Sequence, residues 1–174
     1  MRLLFILYLF FSTTNLYAQE VTINFPEDFF GNYKGLLTIH NNAGSSEIPM
    51  EFHLQPTDSI GSYAYTLVYG EKKQRQDRLY TLKEINKGKG AYIIDENNGI
   101  VLDDKVIENR MYALFEVGGS LLTTFIIFEK DYMTFEIVVS NTSKKRISGG
   151  TNDSIPEVIS YPVSIVQRAI LYKQ

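Results

Sequence analysis

The chain has 174 residues, a formal net charge of −3 and no cysteine. The lack of cysteine excludes disulfide bonds and anchoring through a lipidated cysteine, and the acidic balance without a long basic stripe argues against binding nucleic acid. Hydrophobic residues make up 44% of the sequence, which is enough for one sizeable core in a single domain.

The first 18 residues have the order of a secretory signal peptide. Arg2 supplies a positive charge, an apolar run follows over residues 3–11, and Ala18 is a small residue at the expected cleavage site. The run is shorter than the roughly 20 residues of a membrane-spanning helix, and no later stretch is apolar for as long. We therefore expect a signal peptide over residues 1–18, one domain over residues 19–174, and a secreted or periplasmic protein that is not integral to a membrane.

Alternating apolar and polar residues predict ten β-strands after one short helical turn near Pro26. The alternation is clearest where Met50, Phe52 and Leu54 are separated by polar residues. The predicted strands cover residues 32–40, 48–55, 62–70, 78–85, 91–95, 100–107, 111–117, 120–129, 132–140 and 163–173. Residues 141–162, rich in Ser, Asn, Gly and Lys, show no strand pattern and are expected to form a mobile loop.

Short connections predict the register of several hairpins. Candidates for two-residue turns are Asn98-Gly99, Gly118-Gly119 and Lys130-Asp131. Two-residue turns at Gly118-Gly119 and Lys130-Asp131 join the strands predicted over residues 111–117, 120–129 and 132–140, and one face of these three strands then carries no charge. A slip of one residue in either turn would place charged residues on that face. The uncharged face is expected to point inward, and its members include Phe115, Ile126 and Phe135.

The opposite face of these strands is mixed, because it carries apolar residues beside charged ones. Its apolar members include Leu121, Phe125 and Ile127. An apolar area of this kind on an outer face indicates either cover by another segment of the chain or a partner surface. We expect cover by Phe25, Phe29 and Phe30, or contact with a protein partner or a second copy of the chain.

Residues that could carry out chemistry are few. His40 and His53 are the only histidines, and they fall on different predicted strands at positions too far apart to share a metal ion. The sequence has no cysteine and no G-x-S-x-G nucleophile motif. We therefore predict no metal site and no cofactor, and we predict that the protein is not an enzyme.

Tyrosines are concentrated on one predicted strand, where Tyr63, Tyr65 and Tyr69 share a face. Such side chains can line a cavity, with ring faces against an apolar ligand and hydroxyls that orient it. They can equally pack as ordinary members of a core. The sequence leaves both interpretations open.

The start of the first strand resembles that of lipocalins and related barrels of the calycin superfamily. Gly31 and Tyr33 match a glycine and an aromatic residue that open the first strand in that family, and Arg168 matches a basic residue of the last strand. The resemblance implies an up-and-down antiparallel barrel in which the last strand pairs with the first. It also implies that Arg168 packs across the ring of Tyr33.

The fold that we predict is a single all-β, up-and-down antiparallel barrel of about ten strands, with a two-sheet β-sandwich as the alternative. The predicted function is an exported, lipocalin-like barrel that binds a small apolar or aromatic ligand. The cavity candidates are Tyr63, Tyr65, Tyr69, Phe115, Ile126 and Phe135. The alternative function is a non-catalytic structural or protein-interaction module of the cell envelope.

Overall fold

The computed structural model describes residues 23–174, so the predicted signal peptide lies outside the described residues. Strands dominate this part of the chain: β1 Gly31–Asn41, β2 Gly44–Pro56, β3 Ser62–Tyr69, β4 Gln76–Asn86, β5 Ala91–Asp95, β6 Val101–Ile107, β7 Arg110–Val117, β8 Ser120–Phe128, β9 Tyr132–Asn141, β10 Arg146–Ser148, β11 Val158–Ser160 and β12 Val163–Lys173. Short 3-10 helices lie at Glu27–Phe29, Lys72–Gln74, Lys87–Lys89 and Thr142–Lys144. No helix within residues 23–174 is both long enough and apolar enough to cross a membrane.

Ten of the strands close into one antiparallel barrel. Strands β1 to β8 each pair with the next strand along the chain, and β12 pairs with both β9 and β1. This up-and-down barrel confirms the predicted fold, and the alternative two-sheet sandwich is wrong. Closure through β12 removes the two outer edges that an open ten-stranded sheet would present.

Two connections differ from their predictions. Residues 141–162 contain the separate two-stranded ladder of β10 and β11, whose three-residue strands are too short for alternation to show in the sequence. At Asn98-Gly99 the amide nitrogen of Glu96 donates a hydrogen bond to the carbonyl oxygen of Ile100, so the loop holds three residues instead of two. The turns at Gly118-Gly119 and Lys130-Asp131 have the predicted registers.

Strands β1 and β12 are paired along most of their length. Tyr33 lies opposite Lys173 at one end of the ladder, and Asn41 lies opposite Ile165 at the other. At Gly35 the two backbones approach so closely that an added Cβ atom would collide with the carbonyl oxygen of Ile170. Glycine is therefore the residue that this point of closure requires.

The ladder between β6 and β7 is the shortest in the barrel. Only Lys105–Ile107 of β6 pair with Arg110–Tyr112 of β7. In the described part of the chain, residues 101–104 and 113–117 form no ladder with each other, although residues 101–104 remain paired with β5. The barrel wall is therefore interrupted between β6 and β7, toward the end where β6 begins.

Residues 24–30, which precede β1, form a closing segment at one end of the barrel. Its 3-10 helix places the ring of Phe29 in a stacked contact with Phe128, at 5.0 Å between ring centroids, and Phe25 meets Tyr92 edge-on at 5.3 Å. The hydroxyl of Tyr33 donates a hydrogen bond of 2.7 Å to the carbonyl oxygen of Phe29. The prediction that Phe25, Phe29 and Phe30 cover the outer face of the sheet is therefore wrong, because the first two rings are buried in the barrel interior and Phe30 packs against the same core.

Aromatic side chains fill the barrel interior next to this closed end. Tyr33, Phe52 and Phe128 are fully buried, and the ring of Phe128 contacts both of the other rings. Burial of each large aromatic ring contributes a few kcal/mol to folding. This packed layer separates the closing segment from the other half of the interior, where the packing is incomplete.

Candidate ligand cavity

A cavity of about 360 Å³ occupies the half of the interior away from the closing segment. Its walls come from β3 to β9 and from β12, and most of the lining is aromatic or aliphatic. Five of the six cavity candidates from the sequence line it: Tyr65, Tyr69, Phe115, Ile126 and Phe135. Binding of a ligand by these five side chains stays a prediction.

Tyr63 does not line the cavity. It lies one inner-face position nearer to the closed end than Tyr65, where its ring packs against Phe30 at 5.8 Å between centroids. Its hydroxyl donates a hydrogen bond of 3.4 Å to a carboxylate oxygen of Glu27. Alternation along β3 correctly identifies the inner face, which Tyr63 shares with Tyr65 and Tyr69. It does not indicate how far along the barrel the cavity extends, so the prediction that Tyr63 lines the cavity is wrong.

Polar groups gather at the outer part of the cavity, where β4 begins and β5 ends. Arg78 and Glu96 both line the cavity near the hydroxyl of Tyr80. Burial raises the pKa of Tyr80, Arg78 lowers it, and Glu96 raises it further. Arg78 is exposed and Glu96 is half-buried. The two opposite charges therefore both lie beside Tyr80 at the mouth of the cavity.

Asp104 is the one acidic side chain on the apolar inner wall of the cavity. It lies opposite Tyr92 in the β5–β6 ladder, one inner-face position deeper than Leu102. Burial raises the pKa of its carboxyl group to about 8, and the negative charge of neighbouring Asp103 acts in the same direction. Asp104 was not among the predicted cavity residues, although Leu102 and Val106, two positions away on either side, place it on an apolar face.

The cavity tyrosines remain neutral over the physiological pH range. Burial raises the pKa of Tyr69 to about 12, and it raises the pKa of Tyr65 well above its usual value. The rings of Tyr65 and Tyr80 are stacked, with 6.4 Å between their centroids. These side chains therefore offer a ligand ring faces and hydroxyl groups, and no charge.

The residues proposed for barrel closure need one correction. Tyr33 is fully buried, and Gly31 packs against the side chain of Lys173. The basic group over the Tyr33 ring is Lys173, whose Nζ atom lies 5.7 Å from the ring centroid. Arg168 lies opposite Thr38, five residues along β12 from Lys173 and farther from the closed end, so the prediction that it packs across Tyr33 is wrong. Its Nε atom is 3.7 Å from a carboxylate oxygen of Glu136 on the outer face.

The other sequence-predicted sites lie on the outside of the barrel. Phe125 packs edge-on against Tyr112 at 5.9 Å between ring centroids, and Leu121 and Ile127 beside it on β8 are half-buried. Contact of this face with a partner stays a prediction. The Nε2 atom of His53 lies 2.9 Å from a carboxylate oxygen of Glu51, and within residues 23–174 no group of three or more potential metal ligands is found.

No family model and no curated protein matches this sequence. Solved structures with a similar fold include the S-type phycobiliprotein lyase CPES from Guillardia theta, with a TM-score of 0.58 and 8% sequence identity. The match covers 85% of this chain and 89% of the lyase chain. Another is a protein of unknown function from the DUF3598 family of Nostoc punctiforme, with a TM-score of 0.58 and 11% identity. That match covers 87% of this chain, which spans 50% of the other.

These likenesses show a shared fold, and they correct one prediction. The prediction that the protein is not an enzyme rests on the lack of a nucleophile that could be paired with a base in the sequence. A lyase has the same fold, so that argument does not hold and the prediction of a non-enzyme is contradicted. The fold alone does not assign an activity, because one architecture serves many functions.

Proposed function

We propose that the barrel binds a small, mainly apolar or aromatic ligand in its interior cavity. The observation that carries the proposal is the contrast between the two halves of the interior, since one is filled by aromatic rings and the other holds about 360 Å³ of space. Protein interiors are normally packed without such voids, because an unfilled cavity reduces stability. The volume falls in the range of small-molecule sites.

The lining of the cavity supports a mainly apolar ligand. Aliphatic and aromatic side chains such as Leu67, Ile94 and Phe135 face it from several strands, and polar groups are confined to a few positions. Sites for small molecules combine an apolar wall with a few polar groups that fix orientation. The likeness in fold to a lyase supports a barrel that takes up another molecule, while the class of ligand is inferred from the cavity itself.

The proposal is tested by calorimetric titration with naphthylethanol, a neutral two-ring probe. Ala113 lines the cavity on β7, so Ala113→Phe should fill it and weaken binding by about tenfold or more. Leu114→Phe is the matched control, because Leu114 is the next residue and is 67% exposed. Thermal unfolding shows whether each variant is folded. Absence of binding to the unmodified protein, or equal binding by a folded Ala113→Phe variant, would contradict the proposal.

We also propose that the chain is an exported, distant member of the calycin superfamily. Residues 1–18 support export through their signal-peptide order, and the buried Tyr33 beneath a basic residue of the last strand supports the superfamily. Expression in the natural host followed by N-terminal sequencing should give a mature chain that starts at or near Gln19. Exported protein that still begins at Met1 would contradict cleavage.

A further inference from the structure

Among the acidic residues of the described chain, Asp104 stands apart because it lies on the apolar inner wall of the cavity, deeper than Glu96 at the mouth. Its apolar neighbours in the lining, Ile94 on β5, Leu102 on the same strand and Ala113 on β7, offer no hydrogen bond or opposite charge. The nearby hydroxyl of Tyr65 is neutral, because burial and, after it, the charge of Asp104 raise its pKa. The influences on the pKa of Asp104 are burial and the charge of Asp103, and no basic group or hydrogen-bond donor of the described residues offsets them. An unpaired carboxyl group in such a place destabilises the fold unless another molecule supplies its partner.

The charges that face the cavity do not balance. Arg78 and Glu96 both lie beside Tyr80 at the mouth, where one positive and one negative charge offset each other. Asp104 is the remaining charged residue of the lining and lies deeper. When this carboxyl group is ionised, the cavity therefore has an excess of one negative charge.

We infer that the ligand carries a protonated amino nitrogen that is bound by the carboxylate of Asp104. This inference rests on the proposed binding function and narrows it to apolar amines. An ammonium group supplies both the opposite charge and the hydrogen-bond donors that Asp104 lacks. The side chains of Tyr65, Tyr69 and Tyr80 line the same cavity, and aromatic rings of this kind are suited to the cationic end of such a molecule.

Other titratable groups around Asp104 leave the carboxyl as the group that changes charge near neutral pH. Tyr92 lies opposite it on β5 and Tyr65 lies across the interior on β3, and burial raises the pKa of both hydroxyls well above their usual range. On its own strand, Asp103 and Lys105 point to the outer face and are exposed. Binding of an amine must therefore compete with the proton that Asp104 holds in the empty cavity.

The first experiment compares naphthylethylamine with naphthylethanol and naphthylpropionic acid by calorimetric titration. We expect the amine to bind about tenfold or more tightly than the alcohol, and the acid to bind weakest. Asp104→Asn should remove the preference for the amine while binding of the alcohol is retained. The matched control is Asp103→Asn, which changes the adjacent exposed carboxylate and should leave the preference intact.

The outcomes separate this inference from the proposed function. Failure of all three probes to bind would contradict the binding function itself. Equal binding of amine and alcohol, or a preference for the amine that survives in Asp104→Asn, would overturn the role of Asp104 while the cavity remains a ligand site. Loss of alcohol binding in a folded Asp104→Asn variant would also overturn the inference, since it would show that the substitution altered the whole cavity.

A pH series provides a second readout. Because the amine binds the ionised carboxyl group, its affinity should rise between about pH 6 and about pH 9, as Asp104 loses its proton. The affinity of naphthylethanol should change little, and Asp104→Asn should remove the rise. An affinity for the amine that stays constant or falls over this interval would show that binding does not require the ionised carboxyl group of Asp104, and it would overturn the inference.

Discussion

Asp95 and Asp104 lie on neighbouring strands and show how the face of a strand determines the behaviour of a carboxyl group. Asp95 points outward, where the ammonium group of Lys83 lies at 2.7 Å and the backbone amide of Asn97 donates a hydrogen bond, and these contacts lower its pKa. Asp104 points inward and has no such partner, so its pKa is raised. The same residue type therefore has opposite effects on the pH dependence of folding.

The raised pKa of Asp104 predicts that stability falls as pH increases. Its pKa is about 8 in the folded state against 3.8 for an ordinary aspartate, so between these values the folded state binds more protons and loses stability as pH rises. Asp104→Asn should flatten this dependence and raise the free energy of unfolding near pH 8 by about 1–3 kcal/mol. Urea denaturation near pH 5 and near pH 8 measures the effect. Asp103→Asn serves as the control, and parallel profiles for Asp104→Asn and the unmodified protein would contradict the prediction.

Two buried phenylalanines should differ in their contribution to stability because only one borders the cavity. Phe128 is fully buried and contacts Phe25, Phe29, Tyr33 and Phe52, so Phe128→Ala should cost about 3–5 kcal/mol. Phe135 is also buried, but one side of it lines the cavity. Phe135→Ala should therefore cost less, and should weaken binding of naphthylethanol. Denaturation curves that give equal losses would indicate that the cavity closes around Phe135.

At the scale of single elements, the β1–β12 ladder depends on one glycine. A methyl group at position 35 would meet the carbonyl oxygen of Ile170 and push the strands apart, so Gly35→Ala should lower the free energy of unfolding by about 1–3 kcal/mol. Gly88→Ala is a suitable control, because the nearest atom to an added methyl group there is 3.7 Å away. Urea denaturation compares the two variants. Equal stability would show that β12 can shift without loss.

Most strands could be predicted from the sequence, because one face of each is buried and the alternation of side chains records it. The hairpins at Gly118-Gly119 and Lys130-Asp131 could also be placed, since a slip of one residue would bury charges. The strands at 146–148 and 158–160 could not be predicted, because their residues are exposed and leave no alternation to detect. The interruption between β6 and β7 depends on how neighbouring strands diverge in space, which no local pattern encodes.

The candidate site was only partly predictable for a related reason. Alternation assigns a residue to the inner face, but the sequence does not say whether that part of the interior is packed, and Tyr63 therefore appeared equivalent to Tyr65. Asp104 was missed because its adjacent residues, Asp103 and Lys105, are charged, which obscures the apolar face that it shares with Leu102 and Val106. The residue over Tyr33 was assigned to Arg168, whereas the register of the β1–β12 ladder brings Lys173 to this position.

Across the whole molecule, the two ends of the barrel have different roles. One end is closed by residues 24–30, which are held by the rings of Phe25 and Phe29 and by an ion pair of 2.9 Å between Lys87 and Glu27. At the other end lie the mouth of the cavity and the interruption between β6 and β7. The packed layer around Phe128 lies between them, so stability and binding should respond to different substitutions.

This separation gives a prediction for Phe29, which stacks on Phe128 and does not line the cavity. Phe29→Ala should lower the free energy of unfolding by about 3–5 kcal/mol, yet the affinity for naphthylethanol should stay within about twofold at a temperature where the variant is folded. The filling variant Ala113→Phe should show the reverse, with weakened binding and a smaller loss of stability, because its new ring enters existing space. Denaturation and titration of both variants form one matched comparison. Loss of binding in folded Phe29→Ala would show that the closing segment shapes the cavity through the aromatic layer, so that the two halves of the interior act as one unit.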